Sequence, residues 1–403
     1  MYIYKVGVIG AGIMGAQIAQ VISFAGVPVV ITDVKESAVQ QGLDTVRKIY
    51  QTRVDKGKMT PEQLEAKMLL VTGATSLSEL KDVDLVVEAI SEDLKLKQQL
   101  FQELDTLCPS GTIFASNTSA LSISALGSST SRPGKVVGLH FFNPAYAMPL
   151  VEIIPGLATD SQTVDDMVGF AESIRKAPIV VKECAGFLVN RLLMSYLNEA
   201  VLCLQEGAVT HKAIDQDMVA FGMPMGPFSL LDIVGLDISL DVARILYQSF
   251  GPRMAPAGLL EKLVQDGRLG VKAGRGFYDY SGTANGEVEK LIQDNMDDTV
   301  RRGTMWKPSR LLLTLINEAV IALQEGVASA RDIDLAMMAG TGFPKDKEGP
   351  LHYADEIGLD QVLSELEDMA QNLGMRFWPA PMLRRMVDAG FTGRKAGRGF
   401  FTY

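Results

Sequence analysis

The sequence predicts an α/β domain with a doubly wound, mostly parallel sheet, followed by two tandem, homologous all-α domains. Up to about residue 183, short β-branched runs alternate with helical patterns, which is typical of a sheet with helices on both faces. Beyond Cys184, long segments with helical periodicity dominate. One of these helical segments occurs twice, which indicates that a whole domain has been duplicated.

Seven short runs in the first part of the chain predict the strands of the sheet. They are VGVI (6–9), VPVVIT (27–32), DLVVEAI (84–90), TIFAS (112–116), KVVGLH (135–140), LVEII (150–154) and PIVVK (178–182). Helical segments separate most of them, so we expect parallel pairing. The later strands are candidates for an antiparallel edge.

Two segments of the helical region occur twice, and the copies align without gaps. NRLLMSYLNEAVLCLQEG (190–207) matches SRLLLTLINEAVIALQEG (309–326), and GVKAGRGFYDY (270–280) returns as GRKAGRGFFTY (393–403). A spacing of about 120 residues is too long for a solenoid repeat. We therefore expect an α/β domain at 1–183, a first helical copy at 184–283, a linker at 284–306 and a second copy at 307–403. The second copy has diverged, so we expect the first to carry the chemistry.

Composition excludes several classes of function. A net charge of −10 disfavours binding to nucleic acid or to an anionic membrane, and no run of apolar residues is long enough to span a bilayer. The three cysteines, Cys108, Cys184 and Cys203, show no CxxC spacing, so we expect neither a disulfide framework nor a metal site. No targeting segment is recognisable at the start, and we expect a cytoplasmic protein.

The first strand is followed by a glycine-rich turn. VGVIGAGIMG places Gly10, Gly12 and Gly15 in a GxGxxG pattern between a predicted strand and a predicted helix, as in a Rossmann-type domain. Such a turn brings backbone N–H groups and the positive end of the helix close to a pyrophosphate. Asp33 ends the second strand, where a carboxylate can bind both hydroxyls of the adenosine ribose.

The same carboxylate favours NAD over NADP, because it repels a 2′-phosphate and Val34, rather than an arginine, follows it. Lys35 keeps NADP use open. The alternative interpretation is a strand–helix turn that binds no ligand.

Further motifs follow this turn in order: HFFNP, VEII, GFLVNR and PMGPF. With them, the chain resembles the L-3-hydroxyacyl-CoA dehydrogenases, including the 3-hydroxybutyryl-CoA enzymes, over essentially its full length. The duplicated helical domain is most similar to the dehydrogenase part of the multifunctional fatty-acid oxidation proteins. The resemblance implies reversible, NAD-dependent oxidation of (S)-3-hydroxyacyl-CoA to 3-oxoacyl-CoA, in fatty-acid β-oxidation or butanoate-type metabolism.

The resemblance also implies roles for individual residues. His140 would be the general base, Glu152 would orient its ring, and Ser119 and Asn190 would position the oxygens of the substrate. Five residues would line the cofactor site: Ala89, Glu92, Lys97, Asn117 and Asn143. The chemistry agrees, since removal of the hydroxyl proton assists hydride departure and histidine titrates near neutral pH.

Each of these residues also has a structural interpretation. Considered alone, His140 would more often be a structural histidine in an apolar run, and Ser119 and Asn190 would be helix caps. His211 and His352 are expected to be ordinary surface or packing residues.

A basic cluster lies in residues 44–58, and two of its members, Arg53 and Lys56, are candidates for binding the phosphates of CoA. The alternative for this cluster is a solvated helix face.

Two other classes of protein fit the sequence less well. The 3-hydroxyisobutyrate type of dehydrogenase uses a lysine on the helix that opens the second domain, but that region here reads CAGFLVNRLL. A non-catalytic relative that only binds NAD is disfavoured by the presence of Ser119, His140, Glu152 and Asn190 together. Because single-repeat relatives dimerise through the helical domain, we expect the second copy to act as an internal dimer partner.

Overall fold

The structure is a computed structural model that describes residues 2–207, 209–280, 287–295 and 306–403. The chain divides into two compact units, Met1–Phe187 and Leu188–Tyr403. Among the residues that the structure describes, no helix has both the length and the apolarity needed to cross a bilayer.

The first unit contains one eight-stranded sheet. Its strands are β1 (Val6–Ile9), β2 (Val29–Thr32), β3 (Val71–Ala74), β4 (Leu85–Glu88), β5 (Ile113–Ser116), β6 (Val136–Phe141), β7 (Leu150–Pro155) and β8 (Ala177–Val180). Their spatial order is β3-β2-β1-β4-β5-β6-β7-β8. The first six are parallel, β7 is antiparallel to β6, and β8 is parallel to β7. The predicted doubly wound sheet and its antiparallel edge are confirmed.

Helices cover both faces of this sheet. They are α1 (Ile13–Ala25), α2 (Glu36–Asp55), α3 (Pro61–Met68), α4 (Leu94–Leu107), α5 (Ile123–Gly127) and α6 (Ser161–Ser173). Ile113 of β5 belongs to a buried core with Ile18 of α1 and Met167 of α6. The next residue, Phe114, points to the other face and packs against Phe101 of α4, with ring centroids 5.8 Å apart. Two-sided burial explains why these strands are apolar throughout.

The second unit is helical, as predicted. Its helices are α7 (Val189–Gln205), α8 (His211–Phe221), α9 (Pro227–Val234), α10 (Leu236–Phe250), α11 (Gly258–Gln265), α12 (Glu287–Asp294), α13 (Pro308–Gln324), α14 (Ala330–Thr341), α15 (Pro350–Ile357), α16 (Leu359–Leu373) and α17 (Pro381–Asp388). The α12 helix lies within the predicted 284–306 linker; the rest of that linker, apart from 295 and 306, lies outside the described residues.

The duplicated helices α7 and α13 are joined by exchanged ion pairs. Arg191 of the first copy donates to Glu318 of the second at 2.6 Å, and Arg310 of the second copy donates to Glu199 of the first at 2.7 Å. Arg310 is the sequence counterpart of Arg191, and Glu318 is the counterpart of Glu199. Each copy therefore binds the other through the same two positions, which is the pattern of a twofold interface.

The repeated KAGRGF segments have a structural role in the fold. The carboxylate of Asp232 accepts a hydrogen bond from the Phe277 N–H at 2.9 Å, and Asp355 accepts the same bond from Phe400 at 2.9 Å. A Cβ atom at Gly276 would lie 1.9 Å from the Asp232 carboxylate. The glycine thus permits a close turn around a buried acid in each copy.

Candidate active site

The three glycines of the turn between β1 and α1 have different structural roles. Gly10 has φ +98°, and a Cβ at Gly15 would lie 1.8 Å from the carbonyl oxygen of Gly10, so both are needed for the turn and its packing. A Cβ at Gly12 would have no protein atom within 4 Å. Gly12 is the N-cap of α1, and the open space beside it therefore lies where a pyrophosphate approaches a helix N-terminus.

Two further predicted cofactor residues lie at the same turn. Asp33 follows β2, and its Oδ2 accepts a hydrogen bond from the N–H of Ala11 at 3.0 Å. Ala89 follows β4, and its carbonyl oxygen would lie 2.5 Å from a Cβ at Gly10. The carboxyl ends of β1, β2 and β4 therefore bring these residues together, and the open space at Gly12 with the nearby carboxylate of Asp33 fits a dinucleotide.

His140 and Glu152 form a buried pair. They are directly opposite each other in the antiparallel register of β6 and β7, and His140 Nδ1 lies 2.7 Å from Glu152 Oε2. His140 is 4% exposed and Glu152 is fully buried. The rings of Phe142 and Phe187 lie 4.7 and 5.7 Å from the imidazole, between centroids. Apolar rings thus shield a histidine whose orientation is set by a carboxylate.

The other ring nitrogen faces Ser119. The hydroxyl of Ser119 lies 3.1 Å from His140 Nε2. When Nδ1 carries the ring proton and donates to Glu152, Nε2 is an acceptor and can take a proton. Ser119 is not a helix cap, because α5 is capped by Ser122, which accepts a hydrogen bond from the Ala125 N–H.

Glu92 holds the loop that carries Ser119. Its Oε1 accepts hydrogen bonds from the Ser119 N–H at 2.9 Å and from the Thr118 hydroxyl at 2.5 Å. Its Oε2 lies 3.3 Å from Lys97 Nζ. Two predicted cofactor residues therefore also support the serine.

Lys97 is a buried residue, which the sequence alone did not indicate. It is 1% exposed, and its Nζ donates to Glu88 Oε1 at 2.7 Å. The other oxygen of Glu88 accepts a bond from the Ser116 hydroxyl at 2.6 Å. Glu88 and Ser116 end the neighbouring strands β4 and β5 in register, and that position was the signal that could have identified them.

The two predicted asparagines tie neighbouring segments together. Asn117 Oδ1 accepts a hydrogen bond from the Phe141 N–H at 2.8 Å, which links the ends of β5 and β6. Asn143 Oδ1 accepts a bond from Gln17 Nε2 at 3.3 Å. Gln17 was not predicted from the sequence, because nothing local distinguishes it from other polar residues of α1.

Three further residues were predicted to bind the substrate. Asn190 belongs to the second unit, where it is the second residue of α7 and half-buried. Arg53 is half-buried with its guanidinium 4.4 Å from the ring centroid of Phe24, and Lys56 is exposed at the end of α2.

The other two histidines differ from the surface interpretation. His211 is 3% exposed and packs edge-on against Phe228 and Tyr278. His352 Nδ1 lies 2.7 Å from Asp334 Oδ2. Both are packing residues of the second unit.

Most of the chain matches two models of one protein family. Residues 5–184 match the model for the 3-hydroxyacyl-CoA dehydrogenase NAD-binding domain, and residues 186–280 and 308–403 match that for the 3-hydroxyacyl-CoA dehydrogenase C-terminal domain. The chain belongs to the 3-hydroxyacyl-CoA dehydrogenase family. The predicted family, the NAD cofactor and the class of NAD-dependent oxidoreductase are confirmed.

Similar proteins agree with this assignment. The fatty acid oxidation complex subunit alpha of Vibrio cholerae is 40% identical over 389 residues, covering 96% of this chain and 55% of the relative. That of Shewanella amazonensis is also 40% identical, over 96% of this chain and 56% of its own. The chain thus spans about half the length of the curated relatives it matches.

Solved structures show the same likeness. 3-Hydroxybutyryl-CoA dehydrogenase from Escherichia coli K12 has a TM-score of 0.87 at 30% identity and covers 97% of this chain and 100% of its own. (S)-3-Hydroxybutyryl-CoA dehydrogenase from Ralstonia eutropha has a TM-score of 0.68 at 40% identity, over 70% of this chain and 100% of its own.

Proposed function

We propose that the chain reversibly oxidises (S)-3-hydroxyacyl-CoA thioesters to 3-oxoacyl-CoA, with His140 as the general base and Glu152 as its orienting group. The observation that carries this is the line from Ser119 Oγ through His140 to Glu152, at 3.1 and 2.7 Å. A fully buried carboxylate behind the ring fixes the tautomer and stabilises the imidazolium that forms. We place the reaction in fatty-acid β-oxidation or butanoate-type metabolism, in the cytoplasm.

Each residue of the site has a separate role in the proposed reaction. His140 Nε2 takes the proton of the 3-hydroxyl, and Ser119 donates a hydrogen bond to the same substrate oxygen. Gly12 and Asp33 would hold the pyrophosphate and the ribose of NAD, which would supply the acceptor for the hydride that leaves C3. The rings around His140 exclude water. A base of this kind typically contributes on the order of 10²- to 10⁴-fold in rate.

Three further residues are assigned to substrate binding. Asn190 positions a substrate oxygen, and Arg53 and Lys56 meet CoA phosphates. In support, Lys56 is exposed at the C-terminal end of α2, and Arg53 lies in the last turn of the same helix.

The function is tested by replacing His140 with Gln and following NADH absorbance with acetoacetyl-CoA. We expect turnover to fall by roughly 10²- to 10⁴-fold, since glutamine cannot take the proton. NADH affinity should hold, because Gly12 and Asp33 are unchanged. Equal loss of turnover and NADH affinity would mean that His140 is structural. A wild-type protein that binds NADH but never oxidises it would instead be a non-catalytic relative.

The 3-hydroxyisobutyrate type of activity is the alternative that we do not propose. It requires a lysine on the helix that opens the helical domain, and α7 reads VNRLLMSYLNEAVLCLQ without one. No observation favours it.

We also infer that the second helical copy takes the place of a partner subunit. The exchanged pairs Arg191–Glu318 and Arg310–Glu199 support this, because each copy presents the same arginine and the same glutamate to the other.

A further inference from the structure

The segment that follows His140 is held by side chains from distant parts of the first unit. Residues 142–149 connect β6 to β7 and so join His140 to Glu152; we call them the active-site segment. The segment carries Asn143, and its own turn is closed by bonds from the Ala147 and Met148 N–H groups to the Pro144 carbonyl. Its position decides where Asn143 lies relative to the imidazole.

Gln17 of α1 binds this segment with both ends of its amide. Its Nε2 donates to Asn143 Oδ1 at 3.3 Å, and its Oε1 accepts from the Ala145 N–H at 2.6 Å. Gln17 is 7% exposed and Ala145 is 1% exposed. A buried N–H without its acceptor is costly, so this contact is a strong positional constraint.

Lys176, which precedes β8, binds the same segment from another direction. Its ammonium donates to the carbonyl oxygens of Ala145 and Met148, the latter at 2.7 Å. Burial lowers the pKa of Lys176 to about 8. The two carbonyls offset part of the cost of burying this charge, and the N–H and the carbonyl of Ala145 are thus held from two directions.

The position of Gln17 on α1 matters for function. It lies two residues after Gly15, one turn beyond the helix N-terminus that faces the pyrophosphate. One helix therefore carries both the cofactor turn and the side chain that holds Asn143. A fixed distance between them sets where the active-site segment lies when the cofactor is bound.

We propose, on the basis of the dehydrogenase function proposed above, that Gln17 and Lys176 are positioning residues that hold the active-site segment in register with the cofactor turn. Neither side chain needs to touch the reacting atoms. They act through Asn143 and through the backbone between His140 and Glu152.

The test compares Gln17→Met with Gln20→Met. Both glutamines are buried in α1, and among the described residues no hydrogen bond joins the Gln20 side chain to the active-site segment. We expect Gln17→Met to lower kcat about tenfold or more and to change the NADH Kd by less than about threefold, because the glycine turn is untouched. Gln20→Met should leave kcat near wild type. Equal effects of the two variants would overturn the assignment of Gln17.

Lys176→Met and Lys176→Arg test the second residue. We expect the methionine variant to lose turnover without a matching change in NADH Kd, and arginine, which keeps a charged donor, to recover part of it. Wild-type kcat in Lys176→Met would exclude a positioning role for the lysine.

Limited proteolysis reports on the segment without depending on activity. Tyr146 lies in the segment and is 49% exposed, so cleavage after it by chymotrypsin can be followed by mass spectrometry. We expect Gln17→Met to raise its cleavage rate about tenfold over Gln20→Met, and NADH to protect the wild type more than Gln17→Met. Unchanged cleavage would refute the role of Gln17. If the wild type shows no turnover, the proposed function fails, and the cleavage comparison still decides whether Gln17 holds the segment.

Discussion

Replacing Arg310 with Met would test how strongly the two helical copies hold each other. Arg310 is 1% exposed, and its guanidinium donates to Glu199 at 2.7 Å and to Glu206 at 2.6 Å, both in the other copy. Burial alone would lower the pKa of Arg310, but its interactions with Glu199, Cys203 and Glu206 together outweigh that effect, and the pKa is raised. The variant keeps an unbranched side chain of smaller volume and removes the charge and its hydrogen bonds.

The expected loss of unfolding free energy depends on which groups still neutralise Glu199 and Glu206 in the variant. Breaking a buried ion pair by removing one partner costs about 3–5 kcal/mol, because a buried charge is left uncompensated. Arg376 stays bound to Glu199 at 2.7 Å and to Glu206 at 2.8 Å, so part of the compensation persists. We therefore expect the lower end, about 3 kcal/mol. With a slope of roughly 2–3 kcal/mol per molar urea, the midpoint should fall by about 1 M.

The assay is urea unfolding followed by tryptophan fluorescence, since both tryptophans of the chain, Trp306 and Trp378, lie in the second unit. Lys395→Met is the matched control, because the Lys395–Asp360 pair is exposed and should contribute less than about 1 kcal/mol. Adding Glu206→Gln to Arg310→Met should restore part of the loss, because it removes one of the unpaired charges. A loss below about 1 kcal/mol, or one equal to that of Lys395→Met, would refute the reasoning.

Two further predictions concern the cofactor turn and a buried acid. Gly12→Ala should fold normally, since its Cβ meets no protein atom within 4 Å, but should weaken NADH binding at least about tenfold by occupying the pyrophosphate space; fluorescence titration showing unchanged affinity would contradict this. Burial raises the pKa of Asp334 from 3.8 to about 6, so the stability contributed by its protonated form is present below about pH 4 and is lost as the pH rises through 6. The free energy of unfolding should therefore fall less between pH 4 and 7 in Asp334→Asn than in the wild type, and a steeper fall in the variant would be evidence against this.

Local pattern was enough to predict most of the fold. Seven of the eight strands, the helices between them and the duplicated helical copies follow from periodicity and internal similarity. β3 was missed, because Val71–Ala74 reads VTGA, with a glycine and no clear apolar run. The α12 helix was missed inside a segment whose composition is that of a linker. β3 forms because its backbone pairs with β2, which outweighs a weak local propensity, whereas α12 buries Val288 and Ile292.

The residues of the candidate site were predictable wherever a short sequence motif is sufficient to define the local backbone geometry. Gly10, Gly12, Gly15 and Asp33 follow a strand–turn–helix pattern whose shape is set by residues close in sequence. The Glu88–Lys97–Ser116 group was not predicted as a unit, since its members come from β4, α4 and β5 and meet only when the strands align.

The sequence by itself determined the order of the domains, the kind of nucleotide site and the residue types that can move a proton. Only the tertiary structure decided that His140 is opposite Glu152, because a one-residue shift between β6 and β7 would turn the carboxylate to the other face of the sheet. Only the tertiary structure placed Gln17 and Lys176 on the active-site segment. Hydrogen bonds between residues far apart in sequence produce no periodic pattern from which they could be predicted.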